Sequence, residues 1–141
     1  MRKKDIVTSF LFKDDKILLL KRSDKVGSFR GKWAGISGFI EDENSLEAAL
    51  REIKEETGVD SNKLELLKIG IPFNISDSVN DTIWSINPFL FLFKGTEIQI
   101  DWEHDTFKWI HPNEIDEYET VTGLKKTLFD LIENSDAEKT D

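Results

Sequence analysis

Arg51-Glu52-Ile53-Lys54-Glu55-Glu56-Thr57-Gly58-Val59 is the stretch on which the reading of this chain turns. It closes a strongly helical segment, yet as a helix it is electrostatically awkward. Glu52, Glu55 and Glu56 stand at i, i+3 and i+4, so their carboxylates crowd one face and repel one another. Glu55 and Glu56 also fall in the last turn before Gly58, a C-cap glycine, where the helix dipole favours cations. Each penalty is a few tenths to about 1 kcal/mol, and the two act together. A divalent metal ion is the simplest compensation.

Upstream, Asn44 is a good N-cap and Glu47, three residues on, completes a capping box, so a helix is predicted over 45–57. On a helical wheel Leu46, Ala49, Leu50 and Ile53 form one apolar stripe. The three glutamates share a different sector, with Glu56 bordering the stripe. The helix should therefore dock by one side and present acid along another.

Around it the chain alternates as strands do. Ile6 to Phe12 and Lys16 to Lys21 read as a hairpin turned at Asp14-Asp15. Ser23 to Lys32 is a polar loop with Gly27 and Gly31, and Trp33 to Ile40 is short, glycine-punctuated and extended. Leu64 to Phe73 and Thr82 to Phe93 are further strands. Pro88 inside the second implies an edge position, a bulge or a break. Phe89, Phe91 and Phe93 alternate as one buried face. Ile98 to Trp102 and Phe107 to Ile110 are also read as strands, Pro112 to Tyr118 as a helical turn and Gly123 to Glu133 as a closing amphipathic helix. The class is α/β or α+β, with helices packed on a mixed sheet.

At 141 residues, 38% hydrophobic and 33% charged, the chain suits a single domain over 1–133 followed by a polar tail over 134–141. The absence of cysteine removes disulfides, zinc-thiolate sites and thiol nucleophiles. No apolar run approaches membrane-spanning length, and the N-terminus leads into a strand rather than a signal-peptide core, so a cytoplasmic protein is expected. A net charge of −9 argues against a sequence-independent grip on long nucleic acid. The charge is uneven: residues 1–32 carry ten Lys/Arg against four Asp/Glu. A basic segment folded beside an acidic helix suits a small anion held with a metal.

Two residues ahead of the helix complete a pattern. Gly38 is followed by four residues, then Glu43, then seven residues, then Arg51-Glu52, Ile53, Lys54, Glu55-Glu56, Thr57, Gly58 and Val59. This resembles the signature of the Nudix hydrolase family, which matches at every defined position from Arg51 to Val59. The front half departs from it: the family has five residues between the glycine and the first Glu, and Ser37 stands where many members carry another glycine. A deletion in that turn should repack the turn without moving the helix.

The resemblance implies a Nudix fold, an α/β/α sandwich with a mixed β-sheet, and hydrolysis of a nucleoside diphosphate linked to a further group X. It implies Mg²⁺ or Mn²⁺ as cofactor, with Glu52, Glu55 and Glu56 as ligands. Hard oxygen donors suit such ions independently of any resemblance. Arg51 resembles the arginine that orients the carboxylates. Members often add an acidic residue from a loop before a late strand, and Glu103 occupies that region as an extra ligand or base; a solvated loop charge is its bland alternative. Nucleotide-sized pyrophosphates are the implied partners, and a homodimer is a family-level expectation. A rival class is a Nudix-fold module that binds or senses a nucleotide without cutting it.

Arg22, Arg30 and Lys32 lie in or beside the loop before the box, where a substrate phosphate could be met. Each alone reads as a surface residue; together they predict one phosphate contact. Trp33 is a candidate for stacking on a base, although packing in the core is the commoner fate of such a residue, as for Phe73, Trp84 and Trp102. His104 and His111 have no ligand spacing and read as loop or hydrogen-bonding residues.

Overall fold

The computed structural model describes residues 1–139, and of 134–139 the backbone alone. Strands β1 (Arg2–Lys13) and β2 (Lys16–Arg22) form the expected hairpin. Asp14 and Asp15 both have positive φ (52° and 65°), as a two-residue hairpin turn requires. Next come β3 (Trp33–Ala34), β4 (Ile36–Phe39) and helix α1 (Ser45–Thr57). Strands β5 (Leu64–Ile69), β6 (Phe73–Asp77), β7 (Thr82–Phe93) and β8 (His104–Ile110) follow, and α2 (Leu124–Lys139) closes the described chain.

The strands make one mixed sheet ordered β3-β2-β1-β7-β5, to which β4 adds on β1, β6 on β7 and β8 on β2. The β1–β7 pairing is parallel, running from Arg2 opposite Thr82 to Phe12 opposite Leu92; the remaining pairs are antiparallel. Alternation along the strands divides the core in two. Val7, Leu11, Leu18, Leu20, Phe89, Phe91 and Phe93 meet Ala48, Ala49 and Ile53 of α1. Phe10, Ile17, Leu19 and Leu90 meet Leu124, Leu128 and Leu131 of α2. The result is the α/β/α sandwich, with the sheet buried on both faces.

Several elements differ from expectation. The segment predicted as one strand over 64–73 is two, broken at Gly70–Pro72. Strand β7 is unbroken through Pro88, because the interruption falls in its partners. Strand β6 pairs with 82–86 and β5 with 89–93, and Pro88 sits at the changeover, its carbonyl accepting from the Gly70 N–H at 2.9 Å. The predicted strand from Ile98 to Trp102 does not form. Ile98 and Ile100 pack on the α1 side of the core, which supplies the alternation, but the segment has no strand partner and is tied instead to the end of α1 by Gln99 N–H to Thr57 O at 2.9 Å. Helix α2 continues past Glu133 to Lys139, so most of the expected tail is helical backbone; 140 and 141 lie outside the described residues.

Candidate active site

Helix α1 is fixed at both ends by local chemistry. Asn44 caps it by accepting from the Glu47 N–H, Glu47 returns a bond to the Asn44 N–H, and Gly58 stops it in the left-handed conformation (φ 74°). Its acidic face, however, does not simply border the core. Glu52 and Glu56 are buried, at 8% and 2% exposure, alongside Ala48, Ala49 and Ile53, while Glu55 remains on the surface.

Gly38 explains how Glu52 fits. A Cβ on Gly38 would stand 2.0 Å from the Glu52 carboxyl carbon, so only glycine lets the carboxylate lie against β4. The shortened turn leaves the front half of the motif connected. Arg51 donates to Glu43 through Nε (2.9 Å) and Nη2 (2.6 Å), to the Phe39 carbonyl (2.9 Å) and to Glu52 Oε1 (2.8 Å), with Glu55 3.6 Å away. The Glu43 bonds hold the Arg51 guanidinium well above its ordinary range, and Arg51 in turn lowers Glu43. Arg51 thus clamps the turn to the helix and orients Glu52.

Glu56 is the most perturbed carboxyl. Burial raises it well above a normal carboxylic acid, and adjoining Glu52, with Glu103 and Asp101 nearby, adds to the effect. Its Oε2 has no partner, and its Oε1 lies 3.5 Å from His104 Nε2. Burial likewise raises Glu52 and Glu103. Three carboxyl groups held in or beside one region thus each bind a proton more tightly than a free carboxylate, chiefly through burial.

A cavity of about 260 Å³ opens beside them, lined by Glu52, Glu55, Glu103 and Arg22. Arg22, whose Nε is anchored to the Ser28 carbonyl at 2.9 Å, is close enough to feel the charges of Glu103 and Glu56. Phe29, Phe39, Trp84, Ile6 and Ile86 give the wall an aromatic and aliphatic part, and Thr8, Ser37, Thr122 and Thr127 add hydroxyl groups to it. Trp84 lies 6.4 Å from Phe39 and 6.3 Å from Phe29, ring centre to ring centre, and its indole N–H is held by Asp77 at 3.0 Å. Lys4 sits over both the Phe39 and Trp84 rings.

The residues singled out from sequence divide accordingly. Glu52, Glu55, Glu103, Arg22 and Gly38 line the cavity, with Glu56 and Arg51 directly behind Glu52. Arg30 is exposed and folded back on the Val26 carbonyl, and Lys32 pairs with Glu119 at 2.7 Å. Trp33 pairs with Lys21 in the sheet and packs edge-on against Tyr118 in the α2 half of the core. His111 heads the turn at 112–117. The sequence pattern does not single out Phe29 or Phe39, and it assigns Trp84 to the core and His104 to a loop or hydrogen-bonding role. Phe29, Phe39 and Trp84 come from three separate segments, and no spacing links them.

Among the described residues, no three acids or histidines are already gathered as a metal cluster. Glu52 is engaged by Arg51 and Glu55 faces outward. The chemistry nevertheless fits a hard divalent cation: the donors are carboxylate oxygens, one is buried without a partner, and burial together with neighbouring carboxylates raises the proton affinity of Glu56, which a cation would lower. Glu52, Glu55, Glu56 and Glu103 are the side chains that would hold it.

Comparison with known proteins places the chain. The NUDIX domain model matches residues 2–131. Nucleoside triphosphatase NudI of Escherichia fergusonii is 34% identical over 139 residues, spanning 91% of this chain and 96% of the relative. The solution structure of the E. coli ORF135 protein superposes with a TM-score of 0.76 at 23% identity, over 100% of this chain and 96% of its own. A bifunctional NMN adenylyltransferase/ADP ribose pyrophosphatase from Francisella tularensis, crystallised with AMP and a Mn ion, gives a TM-score of 0.76 at 25% identity, over 94% of this chain and 42% of its own.

Proposed function

The chain belongs to the Nudix family and is a Nudix-type pyrophosphohydrolase; from that premise we propose that it cleaves the pyrophosphate linkage of a nucleoside diphosphate joined to a further group X, using Mg²⁺ or Mn²⁺. One observation carries the reading. The buried Glu52–Glu56 pair adjoins a cavity whose wall also carries the rings of Phe29, Phe39 and Trp84. Such a wall suits a flat heterocycle, and the acids suit a cation carrying phosphate oxygens.

The roles follow from position. Phe29, Phe39 and Trp84 face the base, and the Arg22 guanidinium meets a phosphate oxygen. Arg51 keeps Glu52 in place by its bonds to both sides of the turn. Glu103 lines the cavity with its proton affinity raised by burial, which suits it to take a proton from the attacking water. A bound divalent ion would neutralise the phosphate charge and polarise the phosphorus centre. Attack by water at phosphorus needs no covalent enzyme intermediate, and the products are a nucleoside monophosphate with pyrophosphate or phosphorylated X.

A nucleoside triphosphate is the first compound class to test, since it is a nucleoside diphosphate with phosphate as X and a 34% identical relative carries that activity in its name. The experiment is a panel of nucleoside triphosphates, dinucleotides and nucleotide sugars with Mg²⁺, scored for released phosphate products, with Glu56→Gln as the blank. Cleavage of at least one compound by the wild type alone is expected, lost with EDTA and restored by Mg²⁺ or Mn²⁺. Product formation that survives EDTA or equals that of Glu56→Gln would remove the metal and residue assignment.

A further inference from the structure

Behind the cavity is a buried group that none of the roles above uses. The His104 side chain is 1% exposed, its Nδ1 lies 2.9 Å from Asp101 Oδ1, and its Nε2 faces Glu56 Oε1 at 3.5 Å without a hydrogen-bond partner. Buried polar atoms in native proteins are nearly always partnered, so an unpartnered Nε2 and, on the carboxylate it faces, an unpartnered Oε2 call for an explanation.

The backbone is arranged to hold the ring there. Asp101 to His104 is a tight turn closed by His104 N–H to Asp101 O at 3.2 Å. The turn is pinned on one side by the Ser23 hydroxyl to Trp102 O (3.0 Å) and Ser23 N–H to Glu103 O (2.8 Å). On the other side Gln99 ties the segment to the end of α1, one residue beyond Glu56. His104 then enters β8 opposite Arg22. These ties fix the backbone from which the imidazole reaches between Asp101 and Glu56.

We propose that Asp101 and His104 are a positioning pair for Glu56. Asp101 fixes the ring through Nδ1, so that Nε2 stands against the Oε1 side of Glu56 and leaves the unpartnered Oε2 as the donor to a cation. The inference rests on the metal reading given above, and concerns how one carboxylate is aimed rather than which ion is bound. Partners of this kind, one layer behind a metal, change affinity by about 10–100-fold when removed.

The test is Mn²⁺ binding, read by the free-ion electron paramagnetic resonance signal, with thermal unfolding beside it. His104→Phe keeps a planar buried ring but removes both nitrogens, and should weaken Mn²⁺ binding by about 10–100-fold. His104→Gln keeps a polar amide near the Nε2 position and should recover most of the affinity. Asp101→Ala, at a less buried site, should lose several-fold and keep the fold. A merely structural histidine would give the opposite order, with Phe tolerated and Gln destabilising. Wild-type affinity in His104→Phe overturns the proposal; so does wild-type affinity in Asp101→Ala, even if His104→Phe does not fold. A wild type that takes up no Mn²⁺ overturns the metal reading and this inference together.

Discussion

The two parts of the cavity wall were built in different ways. The acidic part comes largely from one helix and the strand before it: Glu52 and Glu55 come from α1, with Glu56 behind Glu52, and Gly38 from β4 lies against Glu52. The aromatic part takes Phe29 from a loop, Phe39 from the end of β4 and Trp84 from β7. A site encoded locally is written at fixed spacing. A site assembled across the sheet leaves no such trace, because the sheet and not the chain makes its residues neighbours. Chemistry should reside in the first part and choice of substrate in the second.

Mutations can break or sharpen that division. The largest effect is expected in the acidic part, where Glu56→Gln and Glu52→Gln should each lower kcat by at least about 100-fold with the fold retained, as single-turnover rates and circular dichroism would show. Wild-type turnover in either would end the assignment. Next comes Gly38→Ala, whose methyl must push Glu52 off β4. Its cost is about 1–3 kcal/mol of stability by overpacking, with Mn²⁺ affinity reduced about tenfold or more. Unchanged affinity would mean that Glu52 need not lie where it does.

In the aromatic part the signature should change from kcat to KM. Phe39→Ala removes a ring that is half exposed and stacked on Trp84. If that ring faces the base, KM should rise about fivefold or more, since base stacking is worth roughly 1–3 kcal/mol, with kcat nearly unchanged. A fall in kcat at constant KM would contradict the division. The smallest effects belong to Arg30→Ala and Lys32→Ala, whose side chains point to Val26 and Glu119 rather than to the cavity. Each should change kcat/KM by less than about twofold, because neither side chain lines the cavity. A tenfold loss at either would return the whole basic loop to the phosphate site.

The fold departs from the local pattern for the same reason that the aromatic wall is hidden in it. The Ile98 and Ile100 alternation is real, but it records a segment laid over the core and bonded to α1, not a strand with a partner. Pro88 neither breaks β7 nor puts it at an edge, since β7 pairs with β1 straight through it; the interruption lies in the neighbouring strands, where β6 gives way to β5. The four-residue turn from Gly38 to Glu43 departs from the family pattern, and the Arg51 bonds to Glu43 and Phe39 span it all the same.

The sequence by itself determined helix α1, its caps, the face that carries the acids and the alternation that buries Phe89, Phe91 and Phe93, because these depend on contacts within a few residues or on a period. Only the tertiary structure decided that Glu56 is enclosed rather than at the margin, that Arg22 rather than Arg30 or Lys32 reaches the cavity, and that His104 stands behind the acids. Burial and partnership are set by what the sheet and the 99–104 segment bring over the helix, and the spacing along α1 carries no information about them.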